Sequence, residues 1–92
     1  MYLEIVTPEF TVFKGEVQSV SVPGLSGDFE MLNNHAPIVS TLKEGYVKIP
    51  EQTDLSEDQK QYFERKDKGY WYPVFSGAIE LNANKVIVLV DA

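Results

Sequence analysis

The side chains able to do chemistry are few and far apart. His35 is the only histidine and there is no cysteine. A zinc site, which draws its ligands mainly from Cys and His, therefore has almost nothing to work with. A nucleophilic serine needs a base and a strained elbow, and neither Ser26-Gly27 nor Ser76-Gly77 lies in a Gly-x-Ser-x-Gly setting. Three roles suit His35: a catalytic base, a loop residue that fixes the turn before Pro37 by a hydrogen bond, or a contact at an interface. The first has no partner groups in the sequence. Asp28 and Glu30 lie two apart, so on a strand they share a face. A general acid and base would need apolar burial to separate their pKa values. Nothing around them supplies it, and a solvated strand face is the expectation. Pro23-Gly24-Leu25-Ser26-Gly27 carries glycines but no lysine and leads into a strand, so it does not read as a phosphate loop.

The aromatic run Tyr70-Trp71-Tyr72 is the remaining candidate. On a strand Tyr70 and Tyr72 share one face and Trp71 takes the other. Such a ladder can stack on sugar rings or bases. With Lys plus Arg at 8 against Asp plus Glu at 14, the net charge is −6. That charge repels phosphate backbones, so no nucleic-acid partner is expected. Core packing or a protein contact is the favoured role of the run. A free-standing carbohydrate-binding sandwich is the alternative.

The elements that must position these residues are short strands. A length of 92 residues suits one domain, taken as 1–92. Strands are expected at Tyr2–Thr7, stopped by Pro8, and at Phe10–Phe13, closed by Lys14-Gly15. Glu16–Val22 changes the phase of its apolar positions, which predicts a β-bulge near Gln18-Ser19. The turn Pro23–Gly27 leads into Asp28–Leu32. An ordered loop, Asn33–Pro37, leads into Ile38–Leu42, and a tight turn at Lys43-Glu44-Gly45 precedes Tyr46–Ile49. Tyr70–Phe75 and Ala78–Leu81 flank Ser76-Gly77, and Asn82–Lys85 turns into Lys85–Val90. That last strand is apolar at consecutive positions, so both of its faces should be covered. About eight to ten short strands predict an all-β fold, a small β-sandwich or flattened barrel. The charged stretch Glu51–Lys68 stands apart as an insertion between strands. Ser56-Glu57-Asp58-Gln59 fits a capping box and so a helix start. Alternatively, Asp67-Lys68-Gly69 turns Tyr62–Arg65 back onto Tyr70–Tyr72 as a hairpin tip. In either form it reads as a solvated excursion. No apolar run approaches the length of a membrane span, and Met1-Tyr2-Leu3-Glu4 does not read as a signal peptide.

Taken together, these pieces resemble the epsilon subunit of the rotary F-type ATP synthase, in its N-terminal β-sandwich domain. The resemblance runs from Leu3-Glu4-Ile5-Val6-Thr7-Pro8-Glu9 through Val12–Val17 and Val20–Gly24 to Gly27-Asp28-Phe29 with Met31-Leu32. It continues through His35-Ala36-Pro37, Leu42–Gly45 and Ser76–Leu81 to Asn84–Leu89. The resemblance implies a non-catalytic central-stalk subunit that docks gamma to the c-ring and couples proton or sodium flow to ATP synthesis. It implies partners in gamma and the c-ring, no cofactor, and a peripheral place on the cytoplasmic face of a bacterial membrane. By position, Ser26, Gly27 and Asp28 match the c-ring-facing loop, and His35, Ala36 and Pro37 match part of the gamma-facing surface. Asn33-Asn34 replaces the Pro-Gly common before the histidine, and Ala78 replaces a second glycine. The family's C-terminal helical pair, which carries inhibition and nucleotide binding, has no counterpart in 1–92, so neither property is expected here.

Overall fold

The alternating segments form ten strands and one short helix in the computed structural model, which describes residues 1–91. They are β1 (Tyr2–Val6), β2 (Thr11–Glu16), β3 (Ser19–Gly24), β4 (Gly27–Leu32), β5 (Ile38–Leu42) and β6 (Gly45–Pro50). Then come α1 (Glu57–Lys60), β7 (Glu64–Lys66), β8 (Gly69–Val74), β9 (Gly77–Asn82) and β10 (Lys85–Val90). The strand order is β2-β1-β10-β9-β5-β3-β6-β8-β7, with β4 paired to β3. Among the described residues only β1 and β10 are parallel, Ile5 lying opposite Val88. The path doubles back where β5 gives way to β6. Both run antiparallel to β3, through Gly24↔Leu42 and Ser21↔Lys48. Lys43-Glu44 therefore carries one long strand around a corner and does not reverse the chain. The Lys43 amide donates to the Pro23 carbonyl at 2.9 Å there. This corner separates a first layer, β2-β1-β10-β9-β5, from a second, β4-β3-β6-β8-β7.

The core lies between the layers. Leu3, Ile5, Ile79, Leu81, Val86 and Val88 enter it from the first layer, and Val20, Val22, Met31, Val47 and Ile49 from the second. Each is at most 2 % exposed. The inward residues of each strand keep the two-residue period that a pleated strand imposes.

Several expectations need correction. The phase change in Glu16–Val22 is a break between two strands, because β2 ends at Glu16 and β3 begins at Ser19. Val17 is tied instead to Met1, whose carbonyl accepts the Val17 amide at 2.9 Å. The bulge lies in β2, where the register with β1 slips between Ile5 and Val6 and leaves Val12 as the extra residue. That slip lets the adjacent Val12 and Phe13 both be buried. Lys14-Gly15 belongs to β2 rather than closing it, pairing with Glu4 and Leu3. Pro23-Gly24 belongs to β3, so the turn shrinks to Leu25-Ser26 between Gly24 and Gly27.

The excursion at 51–68 combines both readings. Ser56 caps α1, with its Oγ accepting from the Gln59 amide while Gln59 Oε1 accepts from the Ser56 amide. Asp67 and Lys68 both have positive φ, 32° and 66°. They form the type I′ turn that matches strand twist in the β7–β8 hairpin. The segment is not simply solvated, because Leu55 and Phe63 are buried in the core. Phe63 meets Phe13, Tyr70 and Tyr72 at 5.9–6.3 Å between ring centroids.

Candidate docking site

The two loops singled out from sequence lie at opposite ends of β4. Gly27 opens that strand and Leu32 closes it. The hairpin turn Leu25-Ser26 leads into Gly27-Asp28, and the loop with His35, Ala36 and Pro37 leads from Leu32 to β5. Six residues of strand at about 3.3 Å each hold the two ends roughly 20 Å apart. The structure therefore gives each loop its own station on one rigid strut.

At the first station Asp28 is not a free acid. Its Oδ2 accepts a bond from Lys48 Nζ at 3.1 Å, with the two side chains half and one-third exposed. The Lys48 ammonium also lies 4.2 Å above the Trp71 ring. Lys66 approaches the same ring at 5.2 Å and Tyr46 at 4.8 Å. A hydrogen bond from Lys66 to Glu64 holds its ammonium above the usual lysine range. The outer face of the second layer thus carries cations resting on aromatic faces, each cation paired with its own carboxylate. Glu30 shares this face and stands opposite Ser21.

At the second station the backbone is fixed by asparagines. Asn34 has φ 65°, a left-handed conformation that Gly, Asn and Asp tolerate best. It can therefore fill the place of the glycine common in the resembling sequences. The Asn34 amide donates to Asn84 Oδ1 at 2.8 Å, and Asn84 Nδ2 donates to Asn33 Oδ1 at 2.8 Å. The His35 amide donates to the Leu32 carbonyl at 3.1 Å, and its Nδ1 lies 2.7 Å from the Ala36 carbonyl. His35, Ala36 and Pro37 are all exposed. The hydrogen bonds of His35 thus match a loop-fixing role, and its exposed ring leaves an interface contact open.

A third feature was missed in the sequence. β10 was expected to be covered on both faces, but only Val86, Val88 and Val90 are buried, while Leu89 is 54 % exposed. Val39 is 77 % exposed and Phe75 73 %. Leu89 lies opposite Ala78, and Ala78 opposite Thr41. Leu89 and Val39 therefore sit with half-buried Ile87 and Val6 on the outer face of the first layer. Phe75 projects from the neighbouring turn. Glu80 stands within this band, between Ile87 and Val39, and Glu4 lies at its margin beside Ile87. Continuous apolar residues in β10 do not distinguish the face buried in the core from the face left exposed.

The aromatic ladder is split. Tyr70 and Tyr72 pack inward against Phe63 and the core, and burial raises the Tyr72 phenol above its usual range. Only Trp71 faces out, capped by two lysines. No continuous aromatic platform is left for a sugar, which removes the basis of the carbohydrate-binding alternative. Among the described residues there is no cluster of three or more His, Cys, Asp or Glu able to hold a metal. No helix among them is long and apolar enough to cross a membrane.

Comparison with known proteins agrees with this architecture. The chain is 38% identical over 89 residues to the ATP synthase epsilon chain of Chlorobaculum tepidum, covering 97% of this chain and 86% of that one. It is 41% identical over 91 residues to the ATP synthase epsilon chain of Campylobacter fetus, covering 99% of this chain and 60% of the relative. A chain in the central stalk/c-ring structure of the Tetrahymena thermophila mitochondrial ATP synthase superposes with a TM-score of 0.75. Its identity is 12%, covering all of this chain and 63% of that one. At that identity the likeness speaks for the fold. Residues 1–92 match the family model described as the ATP synthase Delta/Epsilon chain, beta-sandwich domain, and the chain belongs to that family.

Proposed function

We propose that this β-sandwich is a non-catalytic rotor component of an F-type ATP synthase, an epsilon-type subunit of the central stalk. It docks the gamma subunit to the c-ring, so that ion-driven rotation reaches the catalytic head without chemistry in this chain. Residues 1–92 act as one docking unit, peripheral to the bacterial membrane on its cytoplasmic face. The observation that carries the reading is the uncovered apolar band of Val39, Phe75 and Leu89. Burying such side chains fully contributes about 1.5–3 kcal/mol each, and a lone soluble domain gains nothing by leaving them in water. Val39 follows Pro37 by two residues, so the band continues the end of the molecule proposed to face gamma. Asp28, at the far end of β4, is proposed to face the polar loops of the c-ring.

Co-elution with the gamma subunit of the same organism on a sizing column tests the reading. A complex at micromolar concentration is expected, and two separate peaks even at high concentration would overturn it. Asp28→Lys should loosen attachment to the membrane sector while leaving the gamma complex intact. Equal losses at both would remove the assignment of Ser26-Gly27-Asp28 to the c-ring.

A further inference from the structure

Of the strands that border the two layers, β4 presents the longest edge left without cover. β7 is three residues long, Glu64-Arg65-Lys66, all charged and exposed. Short, charged edges resist pairing with other chains. β2 is partly covered by the excursion, since Gln59 Nε2 reaches the Lys14 carbonyl at 3.4 Å and Tyr62 stacks on Phe10 at 4.9 Å. β4 runs for six residues and has one strand partner, β3.

The register identifies which backbone groups are free. Gly24 and Gly27 close the two-residue hairpin as a hydrogen-bonded pair, so paired residues alternate from there. Val22↔Phe29 and Val20↔Met31 are then bonded pairs. Asp28, Glu30 and Leu32 point their amides and carbonyls away from β3. Pro23, opposite Asp28, fits this pattern, because it has no amide to donate and its carbonyl accepts from Lys43 on the other side. The Leu32 carbonyl is used by the His35 amide. The amides of Asp28, Glu30 and Leu32 and the carbonyls of Asp28 and Glu30 remain as an unpaired ladder. At its hairpin end lies a surface hollow of about 350 Å³, lined in part by Phe29 and Ser40.

We infer that this edge accepts an extended segment of a partner protein as an added strand, with basic side chains on the outer face. On that face Glu30, and Asp28 with the ion pair it already makes to Lys48, would stand next to the incoming side chains. Opposite charges across a strand pair are favourable and like charges are not. The same carboxylates oppose pairing of β4 with a second copy of itself, so the occupant is a different chain. Intervening apolar side chains would cover the half-buried Phe29 over the hollow. Backbone bonds supply the affinity and the alternating side chains the selectivity, as in other strand additions. The inference rests on sheet geometry and holds whether or not the chain is a rotor subunit.

A blocked hexapeptide of alternating lysine and valine tests it on the full chain, with amide hydrogen exchange followed residue by residue. At a free peptide concentration ten times its measured Kd, exchange at Asp28, Glu30 and Leu32 should slow roughly tenfold. A peptide methylated on alternate backbone nitrogens should lose that effect while keeping its charges. Unchanged exchange in β4 would overturn the inference. So would equal slowing by the methylated peptide, which would mean a side-chain contact only. Slowing that rises with protein concentration and needs no peptide would assign the edge to a second copy.

Discussion

Single residues in this fold differ in how much freedom their surroundings leave them. Gly77 opens β9 where the chain passes close to β10, and a Cβ there would collide with the Leu89 carbonyl oxygen and crowd the Val90 Cα. Backbone on two paired strands cannot yield as a side-chain tip can. Gly77→Ala should therefore lower the unfolding free energy by about 1–3 kcal/mol, the range for overpacking, read as a lower urea midpoint at unchanged slope. Ala83 is the opposite case. It sits in the β9–β10 turn with φ 51°, followed by Asn84 at φ 60°. A left-handed Cβ costs roughly 1–2 kcal/mol, although glycine also gains freedom in the unfolded chain. Ala83→Gly should then raise stability by about 0.5–1 kcal/mol in the same measurement. Asn84 should not be moved with it, because its side chain ties β10 to Asn33 and Asn34.

Elements show why part of the structure was legible in the sequence. Strict alternation gave the strands, since Leu3/Ile5, Val20/Val22 and Val47/Ile49 are each inward pairs separated by two. The capping box at Ser56 and the two turns with paired positive φ were legible because they rest on local chemistry. What could not be read depended on remote chains. The break at Val17 is set by Met1, the corner at Lys43 by Pro23, and the ion pair of Asp28 by a lysine twenty positions away. The excursion hid its role in the same way, because nothing near Phe63 announces that it lies against Phe13. Phe63→Ala should cost about 3 kcal/mol or more and release α1 and β7 first, seen as faster amide exchange there than in β1 or β10. Tyr72, which packs on Phe63, adds a pH signature. Burial raises its folded pKa above the ordinary tyrosine value of about 10. Its contribution to stability is thus complete below pH 10 and falls as pH rises through the folded value. Tyr72→Phe should flatten that part of the alkaline unfolding curve.

At the scale of the whole molecule, stability and docking are assigned to opposite faces of the same strands. In β9 and β10 the inward Ile79, Leu81, Val86 and Val88 are 1 % exposed or less, while Leu89 on the outer face is open. The two faces should therefore respond independently to mutation. Val39→Ser together with Leu89→Ser removes apolar surface that touches mainly water, so the unfolding free energy should move by less than about 0.5 kcal/mol per site. If gamma covers this band, the same pair should lose about 3 kcal/mol or more of binding, roughly a hundredfold in Kd. Ile79→Ala gives the converse: a cost of about 2–5 kcal/mol in stability with little change in affinity wherever the protein remains folded. A titration of gamma against all three proteins, beside their urea curves, separates the effects. Should the outer pair destabilise the fold as much as Ile79→Ala, or bind gamma as the parent does, the band is not the docking face. The face would then have to lie on the second layer, where each outward cation already has its own carboxylate and an incoming partner would have to displace it.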